Sequence, residues 1–140
     1  MNTRGFTLVE VMIVMIVVTI LGSIAIPSYT QYLKKSARKE AQQLLLQAAV
    51  RQETHLVRNG RYATDMSSLG YASDSVATDS GRYTVSVSSG DNSSYTLAAK
   101  PTSTGGQSHD RCGTFTLNHF GERGISTSAD PAPSAKECWN

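Results

Sequence analysis

A run of 21 residues from Phe6 to Ile26, FTLVEVMIVMIVVTILGSIAI, constrains this chain more than any other feature of its sequence. Only Thr7, Glu10, Thr19, Gly22 and Ser23 interrupt its apolar character. Wound as an α-helix at about 1.5 Å per residue, it reaches about 31 Å, the depth of one hydrocarbon core. A cleaved secretory signal fits poorly, because its apolar region would be shorter and would end in small residues before a cleavage site. Pro27 and a polar, basic stretch follow instead, so the segment reads as retained.

The remaining sequence is of another kind. Charged residues make up only 17% of the chain and apolar residues 39%, both below the averages for soluble domains, because the apolar residues are concentrated at the N-terminus. Beyond residue 26 the chain is rich in Ser, Thr, Gly, Asp and Asn. This excludes an ordinary soluble enzyme with one evenly distributed core, a coiled-coil rod and a disordered chain. At 140 residues the chain has room for one domain. A net charge of +2 is too small to make nucleic acid the default partner. Its placement is uneven: Lys34, Lys35, Arg38, Lys39, Arg51 and Arg58 face only Glu40 and Glu53, whereas from Asn59 onward acidic residues outnumber basic ones.

Glu10 stands out within the run. A carboxylate in an apolar span costs about 3 kcal/mol on insertion scales, so it needs a proton, a route to the headgroups or a positive partner. The nearest basic residue is Arg4, and no base follows within two helical turns. Orientation is ambiguous on simple rules. Counting basic flanks puts the C-terminal part in the cytoplasm, whereas two cysteines favour an oxidising compartment.

The N-terminal residues resolve this conflict by resemblance. Arg4-Gly5-Phe6-Thr7-Leu8-Val9-Glu10 at the edge of an apolar helix is similar to the class III leader of type IV pilins and pseudopilins. The resemblance implies that residues 1–5 are a leader, cut between Gly5 and Phe6 by a prepilin peptidase, and that the new Phe6 amine is methylated. It places the chain beyond about Pro27 outside the inner membrane. It also implies a partner for Glu10, the N-terminal amine of a neighbouring subunit in a filament, with Thr7 assisting at the same amine. On this reading the subunit is stored in the inner membrane and extracted by the pilus assembly machinery, with energy from partner ATPases.

Residues 6–27 then form the transmembrane and assembly half of one helix, and 28–59 its amphipathic half. Pro27, weakened further by Gly22 and Ser23, kinks or locally opens the helix. The family implies the opening, as a helix break on assembly. Leu33, Ala37, Ala41, Leu44, Ala48 and Leu56 form an apolar stripe, with Lys34, Lys35, Arg38, Lys39 and Arg51 largely off it. Asn59-Gly60 ends the helix with Gly60 as a left-handed cap. Residues 60–81 read as a connecting loop anchored by Tyr62, Leu69 and Tyr71.

From 82 to 140 the pattern is β. Tyr83, Val85 and Val87 alternate with polar residues, as do Tyr95, Leu97 and Ala99, around a Ser89-Gly90-Asp91-Asn92 turn. Phe115 and Leu117 mark a further strand, Gly121 to Gly124 a turn, and Ile125 a short last strand. The expected fold is α+β, the long helix packed on three or four antiparallel strands, as in pilins.

Cys112 and Cys138 are the only cysteines. Joined, they close a loop of about 25 residues and stabilise the fold by about 3.5 kcal/mol in the chain-entropy view. This region is similar to the C-terminal disulfide region of pilins. Cys112-Gly-Thr-Phe-Thr-Leu-Asn followed by Gly121-Glu-Arg, with Cys138-Trp139, looks most like PilE-type minor pilins. No catalytic, cofactor or metal constellation occurs: His55, His109 and His119 lack ligand spacing. Asn92-Ser93-Ser94 fits a glycosylation pattern but reads as a turn. The reading is a structural minor pilin of a type IV pilus, serving adhesion, twitching motility or DNA uptake. Its rivals are a major pilin, a secretion pseudopilin, a single-span anchored protein, and a DNA-binding pilin with Lys34, Lys35, Arg38, Arg51 or basic residues of the head on phosphates.

Overall fold

The computed structural model describes residues 5–140, and residues 1–4, Arg4 and most of the expected leader among them, lie outside the described residues. Two compact units are present, one ending at Leu33 and the other covering Lys34–Asn140, and each is taken by itself. Helix α1, Leu8–Asn59, contributes to both.

In the first unit the helix is apolar on all sides, with a mean hydropathy of 2.6 over its most apolar 18-residue window and no part of that window buried. Phe6, Leu8, Ile16 and Ile24 all stand exposed. A helix of that length and composition can cross a membrane. It runs on through Gly22 and Pro27. The hydroxyls of Thr19, Ser23 and Thr30 donate to the carbonyls of Met15, Ile20 and Pro27, at 2.7, 2.7 and 2.8 Å, so these three hydroxyls are satisfied within the helix.

In the second unit the amphipathic half of α1 packs on a five-stranded antiparallel meander. The strands are β1 (Val76–Ala77), β2 (Tyr83–Gly90), β3 (Tyr95–Pro101), β4 (Thr114–Asn118) and β5 (Arg123–Ser126), paired in chain order. The extra strand relative to the expected three or four is β1. It lies inside the stretch read as loop and pairs Val76 with Val85. The first turn also moves: β2 runs through Ser89 and Gly90, with a register shift between Val87 and Ser89, and the reversal is made by Asp91 to Ser94. The Asp91 carboxylate accepts from the Ser93 and Ser94 amides at 2.7 Å each, which holds it down to about 2. In the last turn, Arg123 and Gly124 belong to β5.

The helix face toward the sheet carries Ala37, Ala41, Leu45 and Ala48, all buried. Leu45 was absent from the expected stripe, while Leu33, Leu44 and Leu56 are only half-buried. Because that face is mostly alanine, the bulk of the core comes from the sheet: Tyr83, Val85, Leu97, Phe115 and Leu117. Two buried glutamines complete it. Gln52 exchanges hydrogen bonds with both backbone groups of Ala63, at 2.9 and 2.8 Å, and Gln42 donates to the Cys138 carbonyl at 2.9 Å. Each replaces a backbone partner that the adjoining loop or tail would otherwise lack. Gly60, at φ +70°, caps α1 as expected, its N–H bonding the Leu56 carbonyl at 2.8 Å.

Cys112 and Cys138 form the disulfide, both almost fully buried. Gly113 beside it has φ +60°, and a side chain there would run into the Ser126 carbonyl, so only glycine lets β4 start against β5. The short helix α2, Ala135–Trp139, opens with a capping box between Ser134 and Glu137. Its Trp139 donates to the Gly124 carbonyl at 3.0 Å and lays its ring edge-on to Phe115.

Two core tyrosines give the fold an alkaline limit. Burial raises the phenol of Tyr83, and burial with the nearby Glu53 charge pushes Tyr95 up to about 12. Above about pH 10 the unfolded chain releases these protons while the folded chain keeps them. Stability is therefore expected to fall as pH rises past that point. Urea titrations at stepped alkaline pH should show the decline, and Tyr95→Phe should flatten it. A Tyr95→Phe profile as steep as that of the unaltered chain counts against this assignment.

Candidate functional site

Three features of this molecule can do something chemically, and the first is the start of α1. Thr7 precedes the helix, and its Oγ1 accepts from the Glu10 amide at 3.2 Å, an N-terminal cap. The Glu10 side chain is exposed, and its carboxylate has no hydrogen-bond or ion-pair partner among the described residues. Gly5 and Phe6 lie just before the helix, with Phe6 84% exposed. Gly22 and Pro27 sit within continuous helix, and Pro27 leaves the Ser23 carbonyl without its usual amide donor.

The second is a buried polar cluster in the head. Arg38 donates from Nε and Nη2 to the two carboxylate oxygens of Asp110, the Nε bond at 2.8 Å. The Tyr83 hydroxyl donates to Asp110 at 3.3 Å and accepts from Gln107 Nε2 at 3.1 Å. Asp110 is buried and the Arg38 side chain is 15% exposed. The Asp110 hydrogen bond holds the guanidinium above its ordinary value, against the opposing pull of burial. Arg38 was expected off the packed face and available to a phosphate. It is instead committed to Asp110, and no local pattern relates residues so far apart in sequence.

The third is a cleft of about 280 Å³ at the C-terminal end of α1, lined by Arg51, Thr54, His55, Arg58, Asn59, Ser68 and Leu69. Arg51 is fixed there, donating to the Leu69 carbonyl at 3.0 Å and lying over the Tyr71 ring at 4.1 Å. Of the residues expected to contact phosphate, only Arg51 is in this cleft. Lys34, Lys35 and Arg38 are not. No group of His, Cys, Asp and Glu fit to hold a metal occurs among the described residues.

This geometry was compared with known proteins. The family described as "Type IV minor pilin ComP, DNA uptake sequence receptor" matches residues 27–116, more than half of the chain, and the prokaryotic N-terminal methylation motif matches residues 1–26. The chain belongs to the type IV pilin family. This family is structural, not enzymatic. The pilin is 36% identical over 80 residues to the type IV major pilin protein PilE of Neisseria gonorrhoeae, covering 54% of this chain and 46% of that one. It is 34% identical over 71 residues to the type IV major pilin protein PilA of Myxococcus xanthus, covering 51% and 32%. The pilin thus spans half or less of the length of these relatives. Among solved structures, the Neisseria meningitidis non-core minor pilin PilV shares the fold at a TM-score of 0.57 with 22% identity, covering 73% of this chain and 95% of that one. The pilin's N-terminal helix is long and apolar enough to anchor in a membrane.

Within the pilin, sequence reasoning missed Asp110, Gln42, Gln52 and the Arg58 side of the cleft. Asp110 and both glutamines carry no signal in the local sequence. Arg58 did carry a signal, since with Arg51 and His55 it recurs on one helical face.

Proposed function

We propose that this pilin is a minor subunit of a type IV pilus, cut between Gly5 and Phe6 by a prepilin peptidase and methylated on the Phe6 amine. Its apolar helix half holds it in the inner membrane with the head in the periplasm. The pilus machinery then moves it into a fibre alongside other pilin subunits. The observation that carries this reading is that the Glu10 carboxylate, within an otherwise apolar run, has no partner among the described residues. A charge left alone in lipid is penalised, and the amine of a neighbouring subunit removes that penalty. Thr7 beside it is placed to share the amine. Gly22 and the missing amide at Pro27 make residues 22–27 the part of the helix most easily opened during assembly.

Mass spectrometry of sheared surface fibres tests this. The expected result is a peptide beginning at methylated Phe6, present at a small fraction of another pilin. As the dominant species it would make this the major pilin. Fibres free of it, over membranes holding the processed form, would point to a pseudopilin.

A second reading is favoured by one observation: the matching family over residues 27–116 is described as a DNA uptake sequence receptor. On that reading the head binds DNA at the fibre surface. Salt-dependent retardation of duplex DNA by the full chain in neutral detergent is expected. Absence of retardation even at low salt sets it aside.

A further inference from the structure

We infer that the cleft between Arg51 and Arg58 is where this pilin takes up a backbone phosphate of duplex DNA, an inference that rests on the DNA-receptor reading. The chain as a whole argues against strong DNA binding, since the head from Asn59 onward carries more acid than base. Any such binding needs a place where that balance is locally reversed, and the cleft is one. Arg51, His55 and Arg58 are spaced to lie along one face of the last two turns of α1, and all three line it. None of its seven lining residues is acidic.

The lining groups have the chemistry that a phosphodiester oxygen needs. Arg51 is held by the Leu69 carbonyl and the Tyr71 ring, so its planar fork is set in place before a ligand arrives. Arg58 has no carboxylate within salt-bridge distance among the described residues. The hydroxyls of Thr54 and Ser68 stand in the same lining. His55 Nδ1 lies 2.9 Å from the Arg61 carbonyl, which can only accept, so the ring donates there and shapes the cleft wall, while the two arginines and the two hydroxyls supply the donors.

Nearby carboxylates are already engaged. Glu53 accepts from the Tyr62 hydroxyl at 3.2 Å. Asp65 accepts from the Ser68 amide at 2.7 Å and from Ser67, bonds that hold it below the usual carboxylate range. Asp65 thus ties down the loop that supplies Ser68 and does not neutralise either arginine. By contrast, Arg38 is closed off by Asp110 and cannot serve. Arg51 and Arg58 are the two positive charges in the lining, and the exposed Arg61 beside it, also without a salt bridge among the described residues, adds a third nearby.

The test is the salt dependence of duplex DNA binding by the full chain in neutral detergent. Each phosphate contact contributes about 0.9 to the slope of log K against log salt. Arg58→Gln, at an exposed residue with no partner to lose, is expected to lower that slope by about 1 and to weaken binding for every sequence alike. Arg58→Lys should restore most of it. DNA binding with a slope unchanged in Arg58→Gln and in Arg51→Gln overturns the cleft while leaving the DNA-receptor reading in place. No DNA binding by the unaltered chain overturns both. Inorganic phosphate that shifts the His55 and Ser68 resonances without any DNA binding shows an anion cleft and overturns the nucleic-acid assignment.

Discussion

Asp110→Ala is expected to lower the unfolding free energy of the pilin by about 3–5 kcal/mol, the range seen when one partner of a buried ion pair is removed. The reason lies in what stays behind. Arg38 donates two hydrogen bonds to this carboxylate from a side chain that is mostly buried, and the Tyr83 hydroxyl donates a third. With the carboxylate gone, a guanidinium and a phenol remain in the interior without an acceptor. Asp110→Asn keeps the shape and one acceptor but removes the countercharge, so its loss should be smaller. The double variant Arg38→Met with Asp110→Leu removes both charges and is expected to be less damaging than the sum of the single changes. Urea denaturation of the full chain in detergent, followed by circular dichroism, reads these variants and the Arg38→Met and Asp110→Leu single changes. A loss below about 1 kcal/mol for Asp110→Ala would mean that water reaches the pair and that it contributes as little as a surface bridge. The pair joins α1 to the segment that enters the disulfide, and Gln42 makes a parallel tie to Cys138 itself. The cystine-closed tail is thus fastened to the helix at both of its ends.

What could be read from sequence, and what could not, divides along the range of the forces. The apolar run, the α1 terminus at Asn59 with its Gly60 cap and the alternation in β2, β3 and β4 are all local, set by neighbours within a turn or along one strand. Strand β1 was not legible because Val76–Ala77 has only two residues, set in a Ser- and Asp-rich stretch, and exists through its pairing with β2. The β2–β3 reversal shifted for the same reason. Pairing of Gly90 with Tyr95 carries the ladder past a Ser-Gly pair that taken alone reads as a turn. In the helix, Gln42 and Gln52 occupy the packed face, where a polar residue reads as a break in the stripe. Their partners, the Cys138 carbonyl and the Ala63 backbone, lie 96 and 11 residues on, outside the helix. Arg38 and Asp110 are the extreme case. The candidate residues at the helix start were legible because their chemistry is stated by sequence alone: a carboxylate among apolar residues is anomalous before any fold is known.

Glu10→Ala is expected to deplete the pilin from surface fibres by about a hundredfold while its processed form accumulates in the membrane. The estimate follows from the relative free energy of two locations. In lipid an unpaired carboxylate carries a penalty of about 3 kcal/mol, and on the assembly role proposed above a neighbour's amine removes it in the fibre. Part of the preference for the fibre is therefore the relief of a cost that exists only in the membrane. Alanine abolishes that cost, so the membrane-held subunit gains about 3 kcal/mol on the assembled one, and each 1.4 kcal/mol is about tenfold. The helix itself should survive. The Thr7 cap uses the backbone amide of residue 10, not its side chain, and alanine is the best helix former. Glu10→Gln separates charge from hydrogen bonding. It still bonds an amine but offers no countercharge, so incorporation should fall between those of the other two chains. Quantitative mass spectrometry of sheared fibres and of washed membranes, on the same cells, supplies the readout. Glu10→Ala found in fibres at the level of the unaltered subunit would remove the assembly role from Glu10, leaving the apolar helix to direct assembly by packing alone.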